Sequence, residues 1–295
     1  MANKENQNEE IREENQVPED CTHDCSTCGS DCPSREGGGI QKAELNEHSS
    51  IKKVIGVVSG KGGVGKSMVT ALSALAASRH GYKTGIMDAD ITGPSIPKMF
   101  GVHTRAGACE FGILPEETPM EIKLMSINLL TENETDPVVW RGPVIGGVVE
   151  QFWTEVVWGD LDVLFIDMPP GTGDVPLTVF QSLPIDGIIV VTSPQDLVSM
   201  IVAKAVNMAR LMNIPVLGLV ENMSYYECPD CGAKHEIFGP SQAEAVAVTN
   251  GIKLLEKLPI NPLLSTEADQ GKIEFNEGTE MESILEVLEG LGLKA

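Results

Sequence analysis

Apolar and polar positions switch between two periods along most of this chain. Short apolar runs at 54–58, 84–88, 163–167, 187–191, 216–221 and 253–258 have the length and β-branched content of buried strands. Stretches with helical spacing lie between them, and 68–79 is rich in alanine. This alternation predicts an α/β fold, a mostly parallel sheet with helices on both faces in three layers. Two helix starts are marked by local chemistry. Ser193-Pro194-Gln195-Asp196 puts proline in a first turn, and Ser241-Gln242-Ala243-Glu244 fits a capping box. A closing helix is expected over 281–291, and its Glu282, Glu286 and Glu289 favour packing on the core over binding anionic lipid.

The first 49 residues break the pattern. They are polar, acidic and almost free of large apolar side chains, and Gly37-Gly38-Gly39 marks a flexible joint. The expected organisation is an arm over 1–49 and one α/β body over 50–295, which suits a length of 295 residues. A net charge of −22 and a pI near 4.5 argue against a nucleic-acid partner, whose phosphates need clustered Lys and Arg. No apolar run approaches the roughly 18 to 20 residues of a membrane span, and the start lacks the basic-then-apolar order of a secretory signal. A cytoplasmic protein with no membrane partner is expected. Seven cysteines in such a chain point to metal or redox chemistry, since cytosolic thiols stay reduced.

Gly60-Lys61-Gly62-Gly63-Val64-Gly65-Lys66-Ser67 fits the phosphate-cradling pattern G-x-x-x-x-G-K-[ST], with a strand before it and a helix starting near Met68 after it. Glycines let backbone N–H groups curl round phosphate oxygens, and the helix adds roughly half a positive charge at its N-terminus. Lys66 is expected to reach the β- and γ-phosphates and Ser67 to ligate Mg2+, with residues 60–68, Met68 included, forming the nucleotide cradle. Asp88-Ala89-Asp90 closes the second strand at the carboxyl edge of the sheet, where one carboxylate can handle an attacking water. The apolar run ending at Asp167 would deliver a carboxylate to the Mg2+ shell. The Gly- and Pro-rich stretch from Met168 to Asp174 has the composition of a γ-phosphate sensor, in which Gly171 can offer an unobstructed N–H. Asn222 can pair donor and acceptor with an adenine edge, although asparagine after a strand is also a common turn residue.

Cys228-Pro229-Asp230-Cys231 supplies two thiolates, whereas tetrahedral Zn2+ or an iron–sulfur cluster usually takes four protein ligands. A two-fold dimer would bring two such pairs together and complete the set. A zinc knuckle and a thioredoxin-like redox pair are the competing readings. In the arm, Cys21, Cys25, Cys28 and Cys32 fall within twelve residues, enough for a complete [4Fe–4S] or Zn2+ site in one chain. Cys109 stands alone and is expected to be an ordinary packed thiol.

Together these segments resemble the Mrp/ApbC (Nbp-type) family of P-loop ATPases. It sits in the deviant-Walker group with partition ATPases and the nitrogenase iron protein. The resemblance rests on the extra Lys61, on Asp88 to Ser95 read as D-A-D-I-T-G-P-S, on Asp167 to Asp174 read as D-x-P-P-G-T-G-D, and on Asn222 to Gly232; it spans roughly residues 51–290. It implies a homodimeric ATPase in which Lys61 reaches the nucleotide of the other subunit. Asp90 would orient or deprotonate the attacking water, and Asn222 would select adenine, hence ATP. Cys228 and Cys231 of two subunits would hold a bridging [4Fe–4S] cluster for delivery to apo iron–sulfur proteins, with iron–sulfur assembly factors as further partners. Two alternatives stand beside it: a partitioning-type positioning ATPase without a cluster, and an ATP-driven electron donor like the nitrogenase iron protein.

Overall fold

A computed structural model describes residues 42–131, 142–194, 198–277 and 281–294. Its strands are β1 (Ser50–Ser59), β2 (Thr84–Asp88), β3 (Ala108–Cys109), β4 (Gly112–Ile113), β5 (Glu116–Glu117), β6 (Lys123–Met125), β7 (Asp160–Asp167), β8 (Gly187–Thr192), β9 (Val216–Glu227), β10 (Lys234–His235) and β11 (Leu254–Pro259). The helices are α1 (Lys66–Arg79), α2 (Ile96–Met99), α3 (Gly142–Thr154), α4 (Asp174–Ser182), α5 (Val198–Leu211), α6 (Ala243–Asn250), α7 (Pro262–Asp269) and α8 (Ser283–Gly290). The main sheet runs β10-β9-β8-β1-β7-β2-β6-β5, with β11 also paired to β9. β1 lies at its centre, parallel to β7 and β8, and only the β5–β6 and β9–β10 pairs are antiparallel.

Both faces of the sheet are covered, as the unbroken apolar runs require. Val54 and Val58 of β1 join one core with Trp158, Phe180 and Val202, while Ile55 and Val57 join the other with Val69, Leu72 and Ile86. All parallel strands therefore end at one edge, and the turns that leave this edge carry the polar residues singled out above.

The structure moves several predicted boundaries. β9 does not stop at Glu221 but runs six residues further to Glu227, because β11 continues to pair with it as far as Tyr225 and β10 takes over at Tyr226. The marked start at 193–196 is only partly in view: Pro194 lies in a bend, residues 195–197 lie outside the described ones, and α5 is described from Val198. At α6 the N-cap is Gln242 with no side-chain cap. Ser241 Oγ accepts a 3.3 Å bond from the Ala243 N–H, and Glu244 is drawn to Lys257 at 3.0 Å, so no reciprocal capping box forms.

The body begins at Lys42, eight residues before the boundary drawn from hydropathy. Ala43 and Leu45 pack on the core, the Ala43 N–H donates to Ser182 O at 2.8 Å, and Trp153 Nε1 donates to Ala43 O at 3.0 Å. The buried Asn46 amide donates to Phe111 O and Thr154 O. Backbone hydrogen bonds hold this segment, and a polar composition hides them. Cys21, Cys25, Cys28 and Cys32 lie outside the described residues. Cys109 is exposed rather than packed, since β3 and β4 form a two-by-two hairpin that places no core layer over it. No helix among the described residues is long and apolar enough to cross a membrane.

Candidate functional site

The loop between β1 and α1 is shaped by its glycines. Gly63 and Gly65 sit at φ 79° and 80°, a left-handed conformation that side chains resist. A Cβ on Gly60 would lie 2.2 Å from Ile201 Cγ2, and one on Gly65 would lie 2.1 Å from Asn222 Nδ2, so both glycines also admit close neighbours. α1 follows at once, with Gly65 as its N-cap, and its first-turn N–H groups have no partner within the helix. Gly62 and Gly63 are exposed, with nothing within 4 Å of an added Cβ, and Lys61 beside them is exposed too. A turn of this shape at a helix N-terminus fits a triphosphate.

Beneath that turn the sheet delivers two carboxylates side by side. Asp88 of β2 is in register with Asp167 of β7, and neither has measurable solvent exposure. Lys66 Nζ lies 2.6 Å from Asp167 Oδ1. Ser67 Oγ donates to Asp167 Oδ2 at 2.6 Å, and Thr70 Oγ1 donates to Oδ1 at 2.8 Å. Asp88 Oδ2 accepts from the Ser95 and Ile96 N–H groups and from Ser126 Oγ, and its Oδ1 accepts from the Asp90 N–H. Burial, with the charge of Asp167 added, pushes the Asp88 carboxyl up to about 8, opposed by Lys66. Burial also raises Asp90, less one-sidedly because Lys66 and the Thr92 hydroxyl favour its ionised form. A carboxylate raised in this way is a better proton acceptor than the ordinary value implies.

Ser67, Asp167 and Lys66 thus lie together, with Lys66 on Asp167, while the Asp90 N–H is bonded to Asp88, the neighbour of Asp167 in register. Asp88 and Thr70 were not singled out as site residues. The D-x-D spacing at a strand end was the available signal for Asp88, because alternation turns the first carboxylate under the helix. Two predicted contacts are occupied within the chain. The Gly171 N–H, at φ 91°, donates to Ser59 O at 2.8 Å, so it meets a phosphate only if that bond opens. Asn222 lies inside β9 rather than after it. Its Nδ2 donates to Val64 O at 3.0 Å and its Oδ1 accepts from the Met223 N–H, leaving one amide hydrogen and one lone pair for another partner.

The cysteine pair sits at the tip of the β9–β10 hairpin. The Cys228 N–H donates to Ala233 O and the Gly232 N–H to Cys228 O, with Gly232 at φ 71° closing the turn. N–H groups of Asp230 and Cys231 aim at the Cys228 sulfur and hold its thiol below the usual range. Cys228 is half-buried and Cys231 exposed. No group of three or more His, Cys, Asp or Glu among the described residues could hold a metal ion.

β9 joins the two regions without interruption. Its Glu221 is fully buried, with Oε2 accepting from Ser224 Oγ at 2.5 Å and Oε1 without a partner. Met223 takes φ 56°, and Tyr225 O accepts from the Ile260 N–H at 2.6 Å.

Comparison with known proteins agrees with this arrangement. The ParA profile described as NUBPL iron-transfer P-loop NTPase matches residues 50–291. The iron-sulfur cluster carrier protein of Clostridium perfringens is 45% identical over 255 residues, covering 84% of this chain and 87% of the relative. That of Methanocaldococcus jannaschii is 45% identical over 258 residues, 85% and 89% of the two chains. A nucleotide-binding protein from Archaeoglobus fulgidus, solved with ADP, superposes with a TM-score of 0.70 at 42% identity, covering 77% of this chain and 90% of that one. The cell division ATPase MinD of Pyrococcus furiosus shares the fold with a TM-score of 0.59 at 18% identity, covering 82% of this chain and 98% of that one.

Proposed function

The chain belongs to the ParA-type family of NUBPL iron-transfer P-loop NTPases, and from that premise we propose that it is an ATP-hydrolysing carrier of [4Fe–4S] clusters, working as a homodimer that hands its cargo to apo iron–sulfur proteins. The observation that carries this reading is β9, one strand whose middle touches the phosphate loop through Asn222 and which leads directly into Cys228. Two thiols per chain on an exposed tip call for a second copy. That copy would add its own pair to the cluster and its Lys61 to this chain's nucleotide.

Ser67 and Asp167 offer adjacent oxygens that fit Mg2+, which when bound would neutralise phosphate charge. Lys66 now balances Asp167; it would turn to the β- and γ-phosphates once another cation faces that carboxylate. Asp90, raised by burial, would take or orient the water. Gly171 would exchange Ser59 O for the γ-phosphate, and the switch segment would move with it. Asn222, holding Val64 O, would pass the change along β9 to the thiols.

Replacing Cys228 and Cys231 together with alanine tests the cargo half. After anaerobic reconstitution with iron and sulfide, the hairpin's share of iron, about four per dimer on a four-thiolate cluster, is expected to vanish. ATP affinity should stay within about twofold, because the tip contributes nothing to the nucleotide loop. Iron retained in full after both substitutions would remove the hairpin from the reading.

A further inference from the structure

The helix that leaves the switch segment is fastened at its far end by the first described residues of the chain. α4 starts at Asp174, where the switch segment stops, and ends at Ser182. The last carbonyls of a helix have no partner inside it. Here Lys42 Nζ donates to Phe180 O at 2.6 Å and to Leu183 O at 2.7 Å, and the Ala43 N–H donates to Ser182 O at 2.8 Å. An ammonium at this terminus also meets the negative end of the helix dipole. Lys42 is otherwise exposed, and partial burial of its ammonium beside these carbonyls holds it below the usual lysine range.

At the opposite end of α4 the N-cap is Gly173, which has no side chain to cap the helix, and the Leu177 N–H reaches Gly173 O at a long 3.4 Å. Between the ends α4 is close-packed: Val179 and Phe180 are buried, and a Cβ on Gly146 of α3 would lie 2.7 Å from Thr178 Cγ2. A nine-residue helix of this kind moves as one piece, so what fixes Leu183 also fixes where Asp174 and the preceding switch residues stand.

We propose that Lys42, with Ala43, is a positioning residue for the nucleotide switch: it pins the C-terminal end of α4 and thereby sets the stance of Gly171 at the other. This rests on the ATPase reading above for its consequence in catalysis, but not for the clamp itself. The same residues begin where the cysteine-bearing arm ends in sequence, which puts the clamp at the arm's point of attachment.

The test uses the full chain carrying Lys42→Met, which keeps the stem and removes the donors, and Lys42→Arg, which restores them. Amide hydrogen exchange of Gly171, bonded to Ser59 O, is read without nucleotide. Lys42→Met should speed it by about tenfold and Lys42→Arg should bring it back. With ATP, kcat should fall by roughly fivefold at an unchanged KM, since the cradle is untouched and only the switch is displaced. Faster exchange confined to residues 180–183, with Gly171 unchanged, would overturn the proposal. So would faster Gly171 exchange at a kcat equal to that of the unaltered chain. Absence of ATP turnover in the unaltered chain would instead defeat the ATPase reading, and the exchange measurement would still decide the clamp.

Discussion

The phosphate loop and the hairpin tip, joined by β9, are built on opposite terms. At the phosphate loop, Lys66, Ser67 and Thr70 converge on the buried Asp167, and the buried Asp88 lies beside it in register. At the hairpin tip, two thiols stand in or near solvent, and the Cys228 sulfur is approached by the N–H groups of Asp230 and Cys231 and by the Cys231 side chain. The first region holds its charges where water scarcely reaches; the second is open to solvent. The proposed nucleotide-driven carriage uses both.

The strongest way to break this contrast is Lys66→Ala. It leaves Asp88 and Asp167 without their shared cation and removes the loop's phosphate lysine, so ATP turnover should drop by about 10²-fold or more. Iron bound at the hairpin should stay within about twofold of the unaltered protein. A parallel loss of iron, measured after the same reconstitution, would show that the two ends are not separable.

A smaller effect sharpens the buried end. The Asp88 carboxyl is raised from 3.8 to about 8 in the folded chain, so the folded state holds a proton that the unfolded state has released. Its contribution to stability is full below about pH 4 and is lost as pH rises through about 8. Tm should therefore fall between pH 5 and pH 8, by something of order 5 °C. Asp88→Asn should flatten much of that slope, leaving the part due to Asp90, which is raised in the same direction. An unaltered slope in differential scanning calorimetry would remove Asp88 as its source.

Smallest of all should be Cys109→Ser. This thiol is exposed on a short hairpin, so the change should leave Tm within about 1 °C and iron content unaltered. Loss of iron would make Cys109 part of the cargo site and undo the assignment to the tip.

Much of the buried end was legible in the chain. The apolar runs marked β2 and β7 because each is a continuous buried strand, and the glycines of the loop announced a backbone that only glycine tolerates at residues 63 and 65. What stayed hidden depended on neighbours distant in sequence. Asp88 and Asp167 meet only through strand register, and nothing near either residue reveals the other. Asn222 reads as a turn residue by type, yet pairs with β11 on either side of it, at Glu221 and Tyr225, keep it within the strand. The Lys42–Ser49 stretch looks like a free arm because it is polar, while its anchors are main-chain bonds and the polar side chains of Lys42, Asn46 and Ser49 bonded to distant backbone.

Seen as an engineering element, the outer part of β9 is a cantilever. β8 and β11 grip its base, β8 as far as Glu221 and β11 as far as Tyr225, and only the two-residue β10 travels with the tip. Beyond Tyr225, where β11 lets go, the overhang to Cys228 is roughly 10 Å long at the usual strand rise. A tilt of about 12° there would carry the tip about 2 Å. An angular change confined to this overhang thus moves the cysteine turn while the pairing of β9 with β8 and β11 stays as it is.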